Sequence, residues 1–205
     1  IKNYANKINL DYASDIDISG FPEHKDTIYL TVKDKNGMII SFINSLFDQF
    51  GSGITVPHTG ILLHCRGKSF SLKDNHPNKI SARKRPLHTI IPGMIGRKDD
   101  VLGSFGVMGG HYQAAGHAFI LSQILDYHLS PQCALDLPRV FPNNGILDIE
   151  ENFDSDIIVE LKNKGHQINY PSLPIGGGQM IINDIDKGIS LGASDWRKDG
   201  IALGV

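Results

Sequence analysis

The apolar residues of this chain change their spacing along its length, and each change marks an element. Ile28 to Val32 is rich in β-branched and aromatic residues, Lys33-Asp34-Lys35-Asn36-Gly37 is polar, and Met38 to Ile43 is apolar again, broken only by Ser41. Asn-Gly between two such runs predicts a β-hairpin. Its first strand has an odd start: it looks buried, yet it begins at Asp26-Thr27, straight after the charged lead-in "SGFPEHKD". "FGSGI" (50–54) reads as a glycine-rich turn and "TGILLHC" (59–65) as a buried strand. Residues 66–86 are polar and basic and contain Pro77 and Pro86, which predicts a long loop of the kind that often carries function. "HTIIPGMI" (88–95) and "VLGSFGVM" (101–108) read as two strands joined by a turn at 97–100.

The period then becomes helical. Ala114, Ala118, Leu121 and Leu125 recur on one face, widened by Phe119, Ile124 and Tyr127. Ser130-Pro131 reads as an N-cap and first-turn proline for a short helix through Leu135. "GILDIE" (145–150) is a strand candidate. Asp154 or Ser155 caps a helix bearing Ile157, Ile158 and Leu161, and Gly165 ends it. "QMIIND" (179–184) and "GISLGAS" (188–194) are the last strand candidates. Strands, then helices, then strands predict an α+β protein with mostly antiparallel sheets. Residues 1–26, whose apolar positions follow no period, read as a tail or linker.

Composition narrows the function classes. A chain of 205 residues suits one large domain or two small ones. A net charge of −2, with both signs interspersed, gives no reason to expect a nucleic-acid or membrane-surface partner. No apolar run approaches the ~20 residues of a membrane span. Cys65 and Cys133 make no disulfide framework or metal pair and read as free buried thiols. The chain opens on Ile1-Lys2-Asn3, without an initiator Met or a secretory pattern, so it is expected to be a fragment or a processed piece. A soluble protein is expected, the cytoplasm being slightly favoured over secretion.

Chemistry has three candidate footholds. The histidines are dispersed, and no standard metal-ligand spacing occurs. "MGGHYQ" (108–113) places two glycines between a strand and a helix; this is either a tight turn or a set of backbone N–H groups able to hold an oxyanion. "PIGGGQ" (174–179) carries the same two readings. Thr27 is an ordinary strand residue unless the chain is cut before it. A cut would give Thr27 a free α-amine of pKa ~7.7–8.0 that can serve as base for its own hydroxyl, with no histidine needed.

From Thr27 to the C-terminus the chain resembles the small subunit of the γ-glutamyltranspeptidases. These are N-terminal nucleophile (Ntn) hydrolases made as one precursor that cuts itself before a Thr. "DTIYLTVKDKNG", "SFINSLFDQFGSGI", "TGILL", "KRPLHTIIP", "MGGHYQ", "ALDLPRVF", "GGGQ" and "GASDWRKDG" follow the family's order and spacing. The resemblance implies a four-layer α-β-β-α sandwich. It makes residues 1–26 the end of a preceding large subunit, residues 27–205 the catalytic small subunit, and that large subunit a partner. It implies no cofactor and no metal, and leaves room for an oligomer of such heterodimers. Thr27 falls on the nucleophile. Ser45 stands at a family Thr that hydrogen-bonds it. Gly109 and Gly110 match the oxyanion glycines, and His88 and Thr89 stand where two serines hold a substrate α-carboxylate.

The departures bear on substrate. Phe47 stands where typical members have Asn, and Arg66 and Ser69 stand at a Gln and an Asp, the Asp being the grip on the donor's α-amino group. Losing an anion and gaining a cation should disfavour an ammonium and favour an acidic group. The expectation is an autoprocessing amidohydrolase or acyltransferase acting on γ-glutamyl or dicarboxylyl amides. The rival is an uncut, inactive relative with a structural or binding role.

Overall fold

The computed structural model describes residues 2–6, 8–13, 26–98, 100–143 and 145–204. In chain order the elements are α1 (Lys2–Ala5), β1 (Asp26–Lys33), β2 (Ile39–Phe47), β3 (Gly93–Arg97), β4 (Asp100–Met108), α2 (Tyr112–Leu125), α3 (Pro131–Asp136), β5 (Val140–Asn143), β6 (Ile146–Ile149), α4 (Ser155–Asn163), β7 (Gln167–Asn169), β8 (Gly177–Asp184) and β9 (Ile189–Ser194). Of the lead-in expected as a tail, residues 1–26, positions 1, 7 and 14–25 lie outside the described residues.

The chain divides into two compact units. The larger comprises Gly20–Leu137 and Gly176–Val205. Its β1–β2 hairpin closes as the sequence predicts: Asp34 Oδ1 accepts from the Asn36 and Met38 N–H groups, each at 2.9 Å, and Gly37 supplies a φ of +88°. A second sheet has the order β3-β4-β8-β9, antiparallel throughout.

Period-two alternation shows how these layers stack. Gly106 of β4 faces the hairpin, because a Cβ there would lie 2.2 Å from the Tyr29 ring. Val107, the next residue, faces α2, where its methyl lies against Gly116. The hairpin therefore covers one face of the four-stranded sheet, and α2 and α3 pack on that sheet in turn. Between the sheets the contact is partly polar. The Tyr29 hydroxyl bonds Ser41 at 2.7 Å, Ser41 donates to the Gly93 carbonyl at 2.9 Å, and Thr31 bonds Ser104. At the site end the contact is apolar: Tyr29, Ile43 and Met108 cluster with Ile90 against them.

The hairpin's apolar residues point the other way. Ile28, Val32, Ile40 and Phe42 are each at least half exposed on its outer face. The strand that looked buried in sequence thus buries its Thr-Tyr-Thr face within this unit and leaves its aliphatic face open.

The smaller unit comprises Ile1–Ser19 and Pro138–Ile175. Its sheet has the order β5-β6-β7, with β5/β6 antiparallel and β6/β7 parallel. Glu150 ties its ends by accepting from the Arg139 N–H at 3.0 Å and the Ile175 N–H at 2.7 Å. Asp154 caps α4 through the Asp156 N–H.

Three sequence expectations need correction. Residues 59–65 form no strand. They fold back on 52–56 through an isolated Thr55–Leu62 bridge, and Ile61 and Leu63 are exposed. The 88–95 strand starts only at Gly93, since Pro92 has no N–H for a ladder. Both cysteines are free, but Cys133 is exposed on α3 and Cys65 only partly buried. β5 and β7 escaped the sequence reading because they are three or four residues long and β5 contains Pro142. Among the described residues no helix is long and apolar enough to cross a membrane, and no His/Cys/Asp/Glu group could hold a metal.

Candidate active site

Thr27 sits at the start of β1, paired with Ser45 of β2. The ladder register slips between Asp26 and Thr27. Irregularities of this kind re-aim a side chain at a strand end. Thr27 shares the inward face of β1 with Tyr29, and Ser45 shares that of β2 with Ile43. The Thr27 hydroxyl donates to Ser45 Oγ at 3.2 Å. Ser45 Oγ also accepts the Phe47 N–H at 3.0 Å.

Phe47 is 1 % exposed and has a φ of +84°. A bulky residue in that region carries strain of ~1–3 kcal/mol, kept only where the surroundings over-determine it. One determinant is the Ser45 hydroxyl, and another is Arg66. The Arg66 guanidinium carbon lies 4.8 Å from the centre of the Phe47 ring. Arg66 opens a 3-10 turn, Arg66–Ser69, and donates through Nη1 to Thr89 Oγ1 at 3.0 Å. The loop between these two residues is pinned by Asn78, which donates to the Ser69 carbonyl at 2.7 Å and accepts the Leu87 N–H at 3.1 Å.

Arg66 is 3 % exposed, and burial pulls its pKa down. His88 is lowered too, first by burial and then by the positive charge of Arg66. One chain of contacts thus runs from Thr27 through Ser45, Phe47 and Arg66 to Thr89, with His88 inside the same positive field.

Gly109 and Gly110 follow Met108, which packs on Tyr29 and Ile43, two residues from Thr27 and Ser45 respectively. Their φ angles are +125° and +58°, so both readings of "MGG" keep their footing: the turn needs glycine, and it sits at the N-terminal end of α2. "PIGGGQ" packs backbone to backbone on it. A Cβ on Gly109 would lie 2.8 Å from Gly176 Cα, and one on Gly176 would lie 2.6 Å from the Met108 carbonyl oxygen. From α2, Gln113 Oε1 accepts the Ile91 N–H at 3.1 Å, which ties the helix to the segment carrying His88 and Thr89.

Sequence reasoning gave no role to the clamp behind this loop. Asp195 Oδ2 accepts the Gly178 N–H at 2.9 Å and its Oδ1 meets Arg197 at 3.1 Å. Arg197 donates onward to the carbonyls of Leu135 and Leu137 at the end of α3. "DWR" in "GASDWRKDG" carried the signal: an acid and a base two residues apart, beside an apolar strand.

A family model described as gamma-glutamyltranspeptidase matches residues 1–205. The chain is 37% identical over 194 residues to a glutathione hydrolase-like proenzyme of Bacillus subtilis, covering 90% of this chain and 37% of the relative. It is 30% identical over 188 residues to an oxamate amidohydrolase proenzyme of Klebsiella pneumoniae, covering 87% and 35%. A crystal structure of a cephalosporin acylase from Bacillus halodurans superposes with a TM-score of 0.77 at 41% identity, over 82% of this chain and 32% of that one. The chain spans about a third of the length of the curated relatives it matches.

Proposed function

The chain belongs to the gamma-glutamyltranspeptidase family, and on that footing we propose that it carries the catalytic part of a self-cutting Ntn amide hydrolase or acyltransferase with Thr27 as nucleophile. The observation that carries the proposal is the Thr27–Ser45 hydroxyl pair at a register slip beside the Asp26–Thr27 bond. In the precursor the Thr27 α-nitrogen is an amide and cannot act as a base. Thr27 Oγ attacks the Asp26 carbonyl carbon and the C–N bond breaks. Asp26 is left esterified to Thr27 Oγ, and the α-amine is freed. Water hydrolyses the ester, returning the hydroxyl and leaving Asp26 with a terminal carboxylate.

The mature site then works on other amides. The neutral α-amine takes the Oγ proton as Oγ attacks the substrate carbonyl. The Gly109 and Gly110 N–H groups receive the oxyanion. The protonated amine gives its proton to the departing amine, and water or a second amine releases the acyl group. No step calls for a cofactor. The family membership supports γ-glutamyl or related acyl amides as substrates, and relatives named as proenzymes support the cut. The open aliphatic face of the β1–β2 hairpin suits the remainder of a longer precursor as its covering partner.

Thr27→Ala in the full-length precursor tests the reading. The variant should neither cut nor form an acyl adduct with a chromogenic amide, while folding like wild type. A Thr27→Ala protein that hydrolyses the amide at the wild-type rate overturns it.

A further inference from the structure

Resting on that reading of Thr27, we infer that Gln113 is a positioning residue for the acyl group. It holds residues 88–91 in register with the Gly109–Gly110 turn, so that a donor held by the first presents its carbonyl to the second. Residues 88–92 have no sheet to hold them. They precede β3, whose ladder starts only at Gly93 because Pro92 has no N–H to give. Among the described residues, no backbone carbonyl accepts from the N–H groups of 88–91. An N–H of this kind needs an acceptor, and for Ile91 it is a side chain, Gln113 Oε1, at 3.1 Å. The Gln113 amide thus stands in for a neighbouring strand.

The other end of Gln113 is fixed to the turn. Its own N–H donates to the Gly110 carbonyl at 3.2 Å, and the Tyr112 N–H donates to that of Gly109 at 3.1 Å. One residue therefore bonds the glycine turn through its backbone and the 88–91 segment through its side chain. Its surroundings are rigid. The His117 ring, one helical turn on, bonds the Gln113 carbonyl at 2.6 Å and lies against Phe105 at 4.8 Å. Phe105 pairs in turn with Gly93, at the end of the same segment, where a Cβ would lie 2.7 Å from its ring. Stability does not explain the choice of residue. Gln113 is fully buried, and its Nε2 has no hydrogen-bond partner. A buried amide NH2 left unpaired weakens a fold. An apolar side chain of the same length avoids that cost, and only the bond to Ile91 calls for an oxygen there.

The test offers p-nitroanilides to the processed full-length enzyme. The acetyl donor reaches the glycine turn and ends at its methyl. The long donor is whichever of γ-glutamyl and glutaryl wild type takes faster. The ratio of kcat/KM, long donor over acetyl, cancels any loss of folded enzyme within each variant. Wild type should favour the long donor by about tenfold or more. Gln113→Met keeps the length of the side chain and loses the acceptor. Its ratio should fall by about tenfold or more, since a misplacement of ~1 Å costs up to about a hundredfold. Gln113→Glu keeps an oxygen that accepts the Ile91 N–H whether the carboxyl is charged or neutral, and should keep most of the ratio. A Gln113→Met ratio equal to wild type, or a Gln113→Glu ratio as low as that of Gln113→Met, overturns the positioning role while leaving Thr27 as the nucleophile. So does a wild type that takes acetyl as well as the long donor. Wild type inert toward all three donors sinks the Thr27 reading itself, and the Gln113 proposal with it.

Discussion

Replacing Ser45 with Ala removes one oxygen that serves two masters. In the folded chain Ser45 Oγ accepts from the Thr27 hydroxyl at 3.2 Å and from the Phe47 N–H at 3.0 Å. The first bond is longer than the ~2.7–2.8 Å typical of hydroxyl pairs, so it is weak in the resting chain, and under the proposed mechanism it gains as Thr27 attacks. Its loss should cost about 1–2 kcal/mol of transition-state stabilisation, or about five- to thirtyfold in kcat with KM little changed. The second loss falls on stability. Phe47 is 1 % exposed at a φ of +84°, so its N–H would lose an acceptor inside the protein. That adds about 1–3 kcal/mol to the cost of folding. Steady-state and single-turnover kinetics on the processed enzyme, with thermal unfolding alongside, separate the two losses. Ser45→Thr restores the hydroxyl and should recover most of both. The reasoning fails if Ser45→Ala turns over at the wild-type rate, or if Ser45→Thr is as impaired as Ala.

Two further outcomes follow from the same geometry. Gly109→Ala places a Cβ 2.8 Å from Gly176 Cα at a φ of +125°, so kcat should fall by about a hundredfold as the proposed oxyanion donors shift; a turnover loss below about threefold in a folded variant would leave those donors unused. His117 is held neutral, with Nδ1–H on the Gln113 carbonyl at 2.6 Å and its ring against Phe105. Burial depresses its pKa below the ordinary 6.5, the backbone carbonyls pulling back only in part. The unfolded chain therefore binds the proton first, and stability present above about pH 6.5 is lost as pH falls below it. The Tm of His117→Leu should decline less than that of wild type between about pH 7 and pH 5; parallel declines would show that His117 is not the group responsible.

Much of the fold was legible because the local signals were strong. Asn36-Gly37 fixed the hairpin, Ser130-Pro131 started α3, and the spacing of Ala114, Ala118 and Leu121 marked α2. "TGILLHC" misled because an apolar run reads the same whether it is a ladder strand or a loop folded on a neighbour, and Gly60 and Gly53 bend that stretch too soon. The first strand looked buried as a whole for a similar reason, yet Ile28, Leu30 and Val32 are exposed. Period two says that one face differs from the other, and only the packing of Tyr29 on Gly106 shows which is inward. At the site, the pairing of Thr27 with Ser45 was foreseen through the family resemblance. The left-handed backbone of Phe47, the stacking of Arg66 upon it and the Asp195–Arg197 clamp depend on contacts between segments far apart in sequence, which no local pattern encodes.

Whether Thr27 becomes a chain terminus is the central claim, and intact-mass measurement of the full-length precursor during incubation tests it most directly. The account predicts that wild type splits between Asp26 and Thr27. The new Thr27-headed fragment should then gain the mass of an acyl group when a slow amide substrate is added, while Thr27→Ala stays one chain without an adduct. A wild-type chain that never splits, or a Thr27→Ala chain cut at the same bond, would contradict it.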